Sequence, residues 1–536
     1  MCLRLALIVI SLVSVFYFPA FDVFSAENIP DAIPRFNINH YKVTGNTLLS
    51  ADKIESILAP FTGVDKNFST VQEALEALQK AYHSQGFSMT FVTLPEQAIE
   101  NGVVHLKVTE TRIGKINVEE NRFFDQTNIL SSLPGLCQGG IPDLNAISRS
   151  LKLANENPAK KIRLQLLKSD KEDDVEAKIE VKDEKLWRIG ISADNTGDQQ
   201  TGSSRLGILL QYANVFNSDQ LLTLQYVTSP EKIDKVSIYS IGYRMPLYSL
   251  GASIDFIGAY SNVDSGAISA ATYNMNVSGK GSILGMRYNH NLTRISNYEH
   301  KLILGLDYRS YDNNIDFQGV QLGNNVTVHP VSLTYAGTLN IDNRINACIY
   351  LTDVQNLPGI WDNRDTGTNF ENARADAPRG YNVFRYGATA SYIIGDDWQI
   401  RALLNGQYTN DPLVPGEQFG LGGANSVRGF REREFANDRG YSASAELYTP
   451  DLCRQFGIKA VQCRALFFYD TGHVTRQNPL PGDTVSTEMA SIGPGLRITD
   501  GKRFSLAVDY GSVVTTPDQN TSKWSGRWHL SASALF

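Results

Sequence analysis

Two rhythms of apolar and polar residues divide this chain. Up to about residue 184, stretches of helical period alternate with short strands; beyond it only a period of two recurs. In the first part Phe36–Val43 alternates and Gly45-Asn46 turns the chain. Ile54, Ile57, Leu58 and Phe61 then fall at i, i+3, i+4 and i+7, one face of a helix. A second helix is predicted from Ser69-Thr70-Val71-Gln72, which reads as a capping box, along the stripe Val71, Leu75, Leu78 and Tyr82 to a glycine stop at Gly86. Strands at Ser88–Leu94 and Val103–Thr109, joined through Pro95 and the turn Asn101-Gly102, complete a module over residues 36–112. A unit of similar order follows over 113–184, with strand Ile113–Val118, a helix marked by Leu144, Ile147 and Leu151, and strands Ile162–Leu167 and Val175–Val181. Two successive modules of this kind form a degenerate repeat.

Over residues 185–536 the alternation is that of strands. Ala252, Ile254, Phe256 and Tyr260 oppose Ser253 and Asp255; Leu302, Leu304, Leu306 and Tyr308 oppose Lys301, Asp307 and Arg309. Phe504, Leu506, Val508 and Tyr510 oppose Ser505, Ala507 and Asp509, and a last strand sets Trp528, Leu530, Ala532, Ala534 and Phe536 against Arg527, His529, Ser531 and Ser533. A soluble β-sandwich also alternates, but charge recurring on the polar face of strand after strand suits a watery lumen. The predicted fold is therefore an all-β membrane barrel preceded by two small α/β domains. Shared among sixteen strands, this length allows about 22 residues per strand and loop, where a tilted spanning strand needs about 9–11; fourteen or eighteen strands also fit.

Composition narrows the picture further. Arg4, the apolar run Leu5–Phe18 and the small-residue exit Val23-Phe24-Ser25-Ala26 read as a secretory signal over residues 1–26, with a short segment at 27–35 before the first strand. Past that signal no run of eighteen apolar residues appears, so no spanning helix is expected. A net charge of −7 without a long basic block argues against nucleic acid as a partner. No Walker A, HExxH or G-x-S-x-G sequence occurs and the eight histidines are scattered, so no catalytic, cofactor-binding or metal residues are expected and the chain does not read as an enzyme.

Several motifs carry a resemblance. The segment Leu94-Pro95…Asn101-Gly102…Val108-Thr109-Glu110 and the order of elements resemble polypeptide-transport-associated (POTRA) domains. Asp194-Asn195-Thr196-Gly197, Thr201-Gly202, and Asn214 with Asp219 resemble the opening of the barrel in two-partner secretion transporters, the TpsB family of the haemolysin- and haemagglutinin-exporting type. Val427-Arg428-Gly429-Phe430, inside the long loop 419–434, is similar to the tip of that superfamily's sixth extracellular loop. Phe468-Tyr469-Asp470-Thr471-Gly472 is similar to its F-x-D-x-G strand motif, and Asp438, Gly440 and Glu446 fall where the family has a D-x-G…E continuation. The resemblance implies a sixteen-stranded antiparallel barrel in an outer membrane, in contact with its lipid, with POTRA domains in the periplasm. It further implies a secreted TpsA-like exoprotein partner, bound in extended form by strand addition and carried outward without nucleotide hydrolysis. An assembly factor of the same superfamily and a passive porin are the alternatives.

The loop can be argued as chemistry. Glycines at 420, 422 and 423 permit sharp turns, and an arginine withdrawn from bulk water needs an anion. Leu466, Phe468, Asp470 and Gly472 share one strand face, which the family places in the lumen, so Asp470 is the expected partner of Arg428. Gly429 would allow close backbone approach and Phe430 would pack on the wall. Cys453 and Cys463, ten apart, flank an expected periplasmic turn and read as a disulfide or, less favoured, as metal ligands; Cys137 and Cys348 are expected free. Some family members thread a plug helix through the barrel. Residues 27–35 are too few for one, since a lumen-spanning helix needs about twenty residues at 1.5 Å each.

Overall fold

A computed structural model describes residues 34–536, except 172, 263–265, 271–272, 278–279, 313, 318–319, 324, 360–362, 502 and 519–520. The expected signal, and the segment 27–35 up to residue 33, lie outside the described residues, and with them the expectation about a plug helix. The chain forms two compact bodies, one of the residues up to Lys80 with Val92–Val108, the other of Ala81–Phe91 with Thr109–Phe536.

In the first body, His40–Thr44 pairs in parallel with Val103–Glu110, and a short strand Phe36–Ile38 pairs with Gly63–Lys66. The single strand expected over Phe36–Val43 is thus two, and Gly63–Lys66 carried no signal in the sequence because its side chains are largely exposed. Helix Ala51–Leu58 presents Ile54 and Leu58 inward. The long helix Phe68–Ser84 starts one residue before the expected capping box. Asn67 is the cap: its Oδ1 accepts from the Thr70 amide at 3.1 Å, while the Ser69 hydroxyl instead donates to Glu73 at 3.4 Å. Asparagine is as good a cap as serine and stands earlier in the chain, so it takes the end of the helix.

The second body holds the second module and the barrel. Asp174–Asp183 is the central strand of the module, parallel to Arg112–Glu119 and antiparallel to Lys160–Lys168. Helix Leu144–Asn155, capped by Asp143, packs Ile147 and Ala154 on Ile113, Ile162 and Ile179. The barrel runs from Trp187–Asp194 to Gly526–Leu535, and these two strands close it over Gly190–Asp194 and Ser531–Leu535. Seventeen strands take part, of which Val326–Val328 and Pro330–Ile341 continue one register against Tyr298–Tyr311, so the barrel has sixteen staves. The two-residue period sorts each stave as expected: Leu304 is 46% and Phe467 54% exposed on the outside, while Asp255 and Asp470 are fully buried inside. Outward apolar and inward polar faces are what a bilayer around a water-filled lumen requires.

Candidate functional site

The long loop folds back into the lumen as a hairpin. Phe419–Leu421 pairs with Phe435–Asn437, and among the described residues these two strands pair only with each other. Gly422 (φ 103°) and Gly423 (φ 105°) make the turn out of the first strand, a backbone region closed to most side chains. Gly420 instead lies within the strand, and a side chain there would run into Arg433.

At the tip Arg428 meets the inner wall. Its Nε donates to Asp470 Oδ2 at 2.7 Å and its Nη2 to Oδ1 at 2.8 Å, a bidentate pair, and its own backbone amide also donates to Oδ2 at 3.1 Å. Nη1 lies 2.9 Å from Glu446 and 3.6 Å from Asp509, and Nη2 donates to the Ser444 hydroxyl at 3.1 Å. The guanidinium stacks over Phe468, 3.5 Å from the ring centroid. These partners come from three staves, Arg439–Tyr448, Gln462–Thr475 and Phe504–Thr515. Burial works against the charged guanidinium, but the Asp470 hydrogen bonds and the fields of Asp470, Glu446 and Asp509 outweigh it and hold its pKa above the ordinary arginine value.

The neighbouring motif residues are there for fit. Gly429 adopts φ 93° and donates its amide to His529 Nε2 at 2.9 Å; a Cβ on it would stand 2.9 Å from the Gly511 carbonyl oxygen. Val427 and Phe430 are buried with Leu421, Val474, Met489 and Val513. A Cβ on Gly472 would come within 2.2 Å of Leu421, so the strand motif's glycine makes room for the loop. The structure therefore brings Val427, Arg428, Gly429 and Phe430 together with Phe468, Asp470 and Gly472.

A second anchor holds the base of the loop on another part of the wall. Glu417, fully buried, sits 2.8 Å from Arg309 and 2.9 Å from Arg385, and accepts from the Tyr311 hydroxyl at 2.7 Å. Arg309 also contacts Asp307 at 2.6 Å, and Asp307 pairs with Arg287 at 2.5 Å. Where the loop rejoins the wall, Asp438 accepts from the amides of Leu413 at 2.8 Å and Gln477 at 2.7 Å. Sequence reasoning missed Glu417: Asp307 and Arg309 were visible only as the polar face of a strand, and no spacing links them to an acid more than a hundred residues away. Between loop and wall a cavity of about 940 Å³ remains, lined among others by Arg287, Arg385, Arg401, Glu432 and Arg433.

The cysteines lie away from this site. Cys453 and Cys463 are bonded, Cα atoms 5.1 Å apart, in the turn at the barrel end that faces the second module; Cys137 and Cys348 are free thiols.

Comparison with known proteins adds an independent line. The family profile "Haemolysin secretion/activation protein ShlB/FhaC/HecB" matches residues 175–498, and "POTRA domain, ShlB-type" matches residues 36–111. The outer membrane transporter CdiB of Escherichia coli O6:K15:H31 is 23% identical over 432 residues, 76% of this chain and 68% of that protein. The heme/hemopexin transporter protein HuxB of Haemophilus influenzae is 21% identical over 495 residues, covering 89% of this chain and 83% of its own. Among solved structures, CdiB from Escherichia coli superposes with a TM-score of 0.75 at 19% identity, over 96% of this chain and 93% of that one. BamA from Haemophilus ducreyi shares the fold at a TM-score of 0.51 and 14% identity, over 94% of this chain and all of that one.

Proposed function

From the premise that this chain belongs to the haemolysin secretion/activation (ShlB/FhaC/HecB) family, outer-membrane transporters with POTRA domains in the periplasm, we propose that it exports one large exoprotein partner. The modules take up the partner's unfolded N-terminal region, and the barrel conducts it to the cell surface without nucleotide hydrolysis. The observation that carries this reading is the way the lumen is occupied. A hairpin folds into it, tied to the wall through side chains at Arg428 and Glu417 and, among the described residues, not by strand pairing. Side-chain ties can release and re-form without dismantling the barrel, which a conducting state requires.

The modules suit strand addition. In the second module Arg112–Glu119 and Lys160–Lys168 each pair, among the described residues, with Asp174–Asp183 alone; Ile113 is tied to Gly139 and Gly140 and Ile162 to Asn155, so the stretches left for an extended chain are 115–119 and 164–168. The test is deletion of the gene followed by mass spectrometry of the medium and of the outer membrane. Loss of one large exoprotein, with the set of outer-membrane proteins intact, is the expected result. General depletion of outer-membrane proteins would point to barrel assembly instead.

A further inference from the structure

The second module is fastened to the barrel by a dry ion pair that the transport reading does not use. Lys160 opens the module strand Lys160–Lys168, and Asp219 closes the turn between the staves Arg205–Val215 and Gln220–Thr228. Lys160 Nζ stands 2.5 Å from Asp219 Oδ2, with both side chains 1% exposed or less. Nζ also donates to Asn128 Oδ1 at 3.0 Å and lies 4.8 Å from the Phe124 ring centroid, and the Tyr248 hydroxyl donates to Asp219 Oδ2 at 2.5 Å. Asn128 Nδ2 donates to Asn214 Oδ1 at 3.1 Å and Asn157 Nδ2 to the Ala213 carbonyl at 2.7 Å, both crossing from module to barrel. Asp219 Oδ1 is buried without a hydrogen-bond partner in the structure, so this carboxylate leans on Lys160 and Tyr248.

Further contacts spread the dock over the next two turns. Glu156 meets Arg244 at 2.9 Å, Arg244 is bidentate to Asp255 at 2.7 and 3.0 Å, and at the rim Lys152 lies 3.0 Å from Glu299. The connecting residues are themselves held, since the Leu186 carbonyl accepts from the Ala213 amide at 3.0 Å. A module that began to swing away would part the ammonium from the carboxylate before water reached either, a costly intermediate on the way to undocking.

We propose that the second module is a fixed extension of the barrel, with Lys160 and Asp219 as the positioning pair. Cargo is then admitted without a pivot of this module about residues 184–186. The idea that cargo passes at all rests on the transport reading; the fixed dock does not.

The test is a spin-label distance measurement on the purified full chain in nanodiscs. One label goes on the native, exposed Cys137 and the other on Asp396→Cys in a barrel turn, in a background with Cys2→Ser and Cys348→Ser. A single narrow distance is expected, lost as a broad distribution in Lys160→Met and in Asp219→Asn, while Lys152→Glu at the rim keeps the narrow peak. Where Lys160→Met does not insert, as judged by heat-modifiable gel migration, the isosteric Asp219→Asn decides. A narrow peak in Asp219→Asn, a broad one in the parent, or equal broadening by Lys152→Glu overturns the assignment. Because distances are read without secretion, an intact exoprotein profile after gene deletion would remove the transport reading and leave this one standing.

Discussion

Arg428 in the lumen and Lys160 at the dock are both cations withdrawn from bulk water, and both face a buried aspartate. They are built differently. Arg428 spreads its charge over a planar fork that addresses Asp470 through two bonds, with Glu446, Ser444 and Asp509 around it and a cavity at its side. Lys160 is a point charge packed among Phe124, Asn128 and Asp219. A fork with several acceptors can exchange them one at a time, whereas a single dry pair is either made or broken. The contrast fits a loop that must let go and a module that must not.

Four substitutions test this contrast. The largest effect is expected from Arg428→Ala, which leaves Asp470 buried without its cation, while Glu446 keeps Arg401 at 3.6 Å; the loop should lose about 3–5 kcal/mol of local stability. The barrel should still insert, with secretion impaired, single-channel conductance altered and the loop cut faster by protease. Normal secretion by this variant would refute the role of the tip. Arg428→Lys keeps the charge but not the fork, and should lose about 1.5–3 kcal/mol, the worth of hydrogen bonds to charged groups. Its conductance should fall between parent and Arg428→Ala; parent-like behaviour would mean that charge alone holds the loop.

The reciprocal exchange, Lys160→Arg, puts a larger planar group into a filled site and should destabilise the dock by about 1–3 kcal/mol through overpacking. Faster proteolytic release of the second module would report it, and an unchanged rate would show that the site has slack. Smallest is Lys152→Ala at the rim, whose pair with Glu299 is about a third exposed and should contribute about 0.2–1 kcal/mol. A thermal-stability change beyond that range would show that the rim pair matters more than its exposure implies.

Much of this was legible along the chain, residue by residue. The alternation of Leu302, Leu304 and Leu306 with Lys301 and Asp307 already separates lipid from lumen, because strand geometry ties sequence parity to a face. Arg428 and Asp470 could be matched because a buried guanidinium needs an anion, strand parity sets Asp470 on one face with Leu466 and Phe468, and the family resemblance implies that this face lines the lumen. Glu446 and Asp509 were visible as motif and polar-face residues, but not as further partners of the same arginine. Nothing local marks Glu417 or Lys160: each is one charged residue whose side-chain partners lie 32 or more positions away in the chain.

What the sequence determined by itself was therefore whatever follows from period and composition: two α/β modules, a run of alternating staves, and an arginine on a glycine-flanked tip. The tertiary structure alone decided where the charges meet. The barrel closes Gly190–Asp194 on Ser531–Leu535, the loop base on Arg309 and Arg385, and the module on Asp219. The physical reason is range. Parity and helical period act within a few residues, whereas Coulomb pairing in a low-dielectric interior acts between any groups the fold brings together, however far apart they stand in the chain.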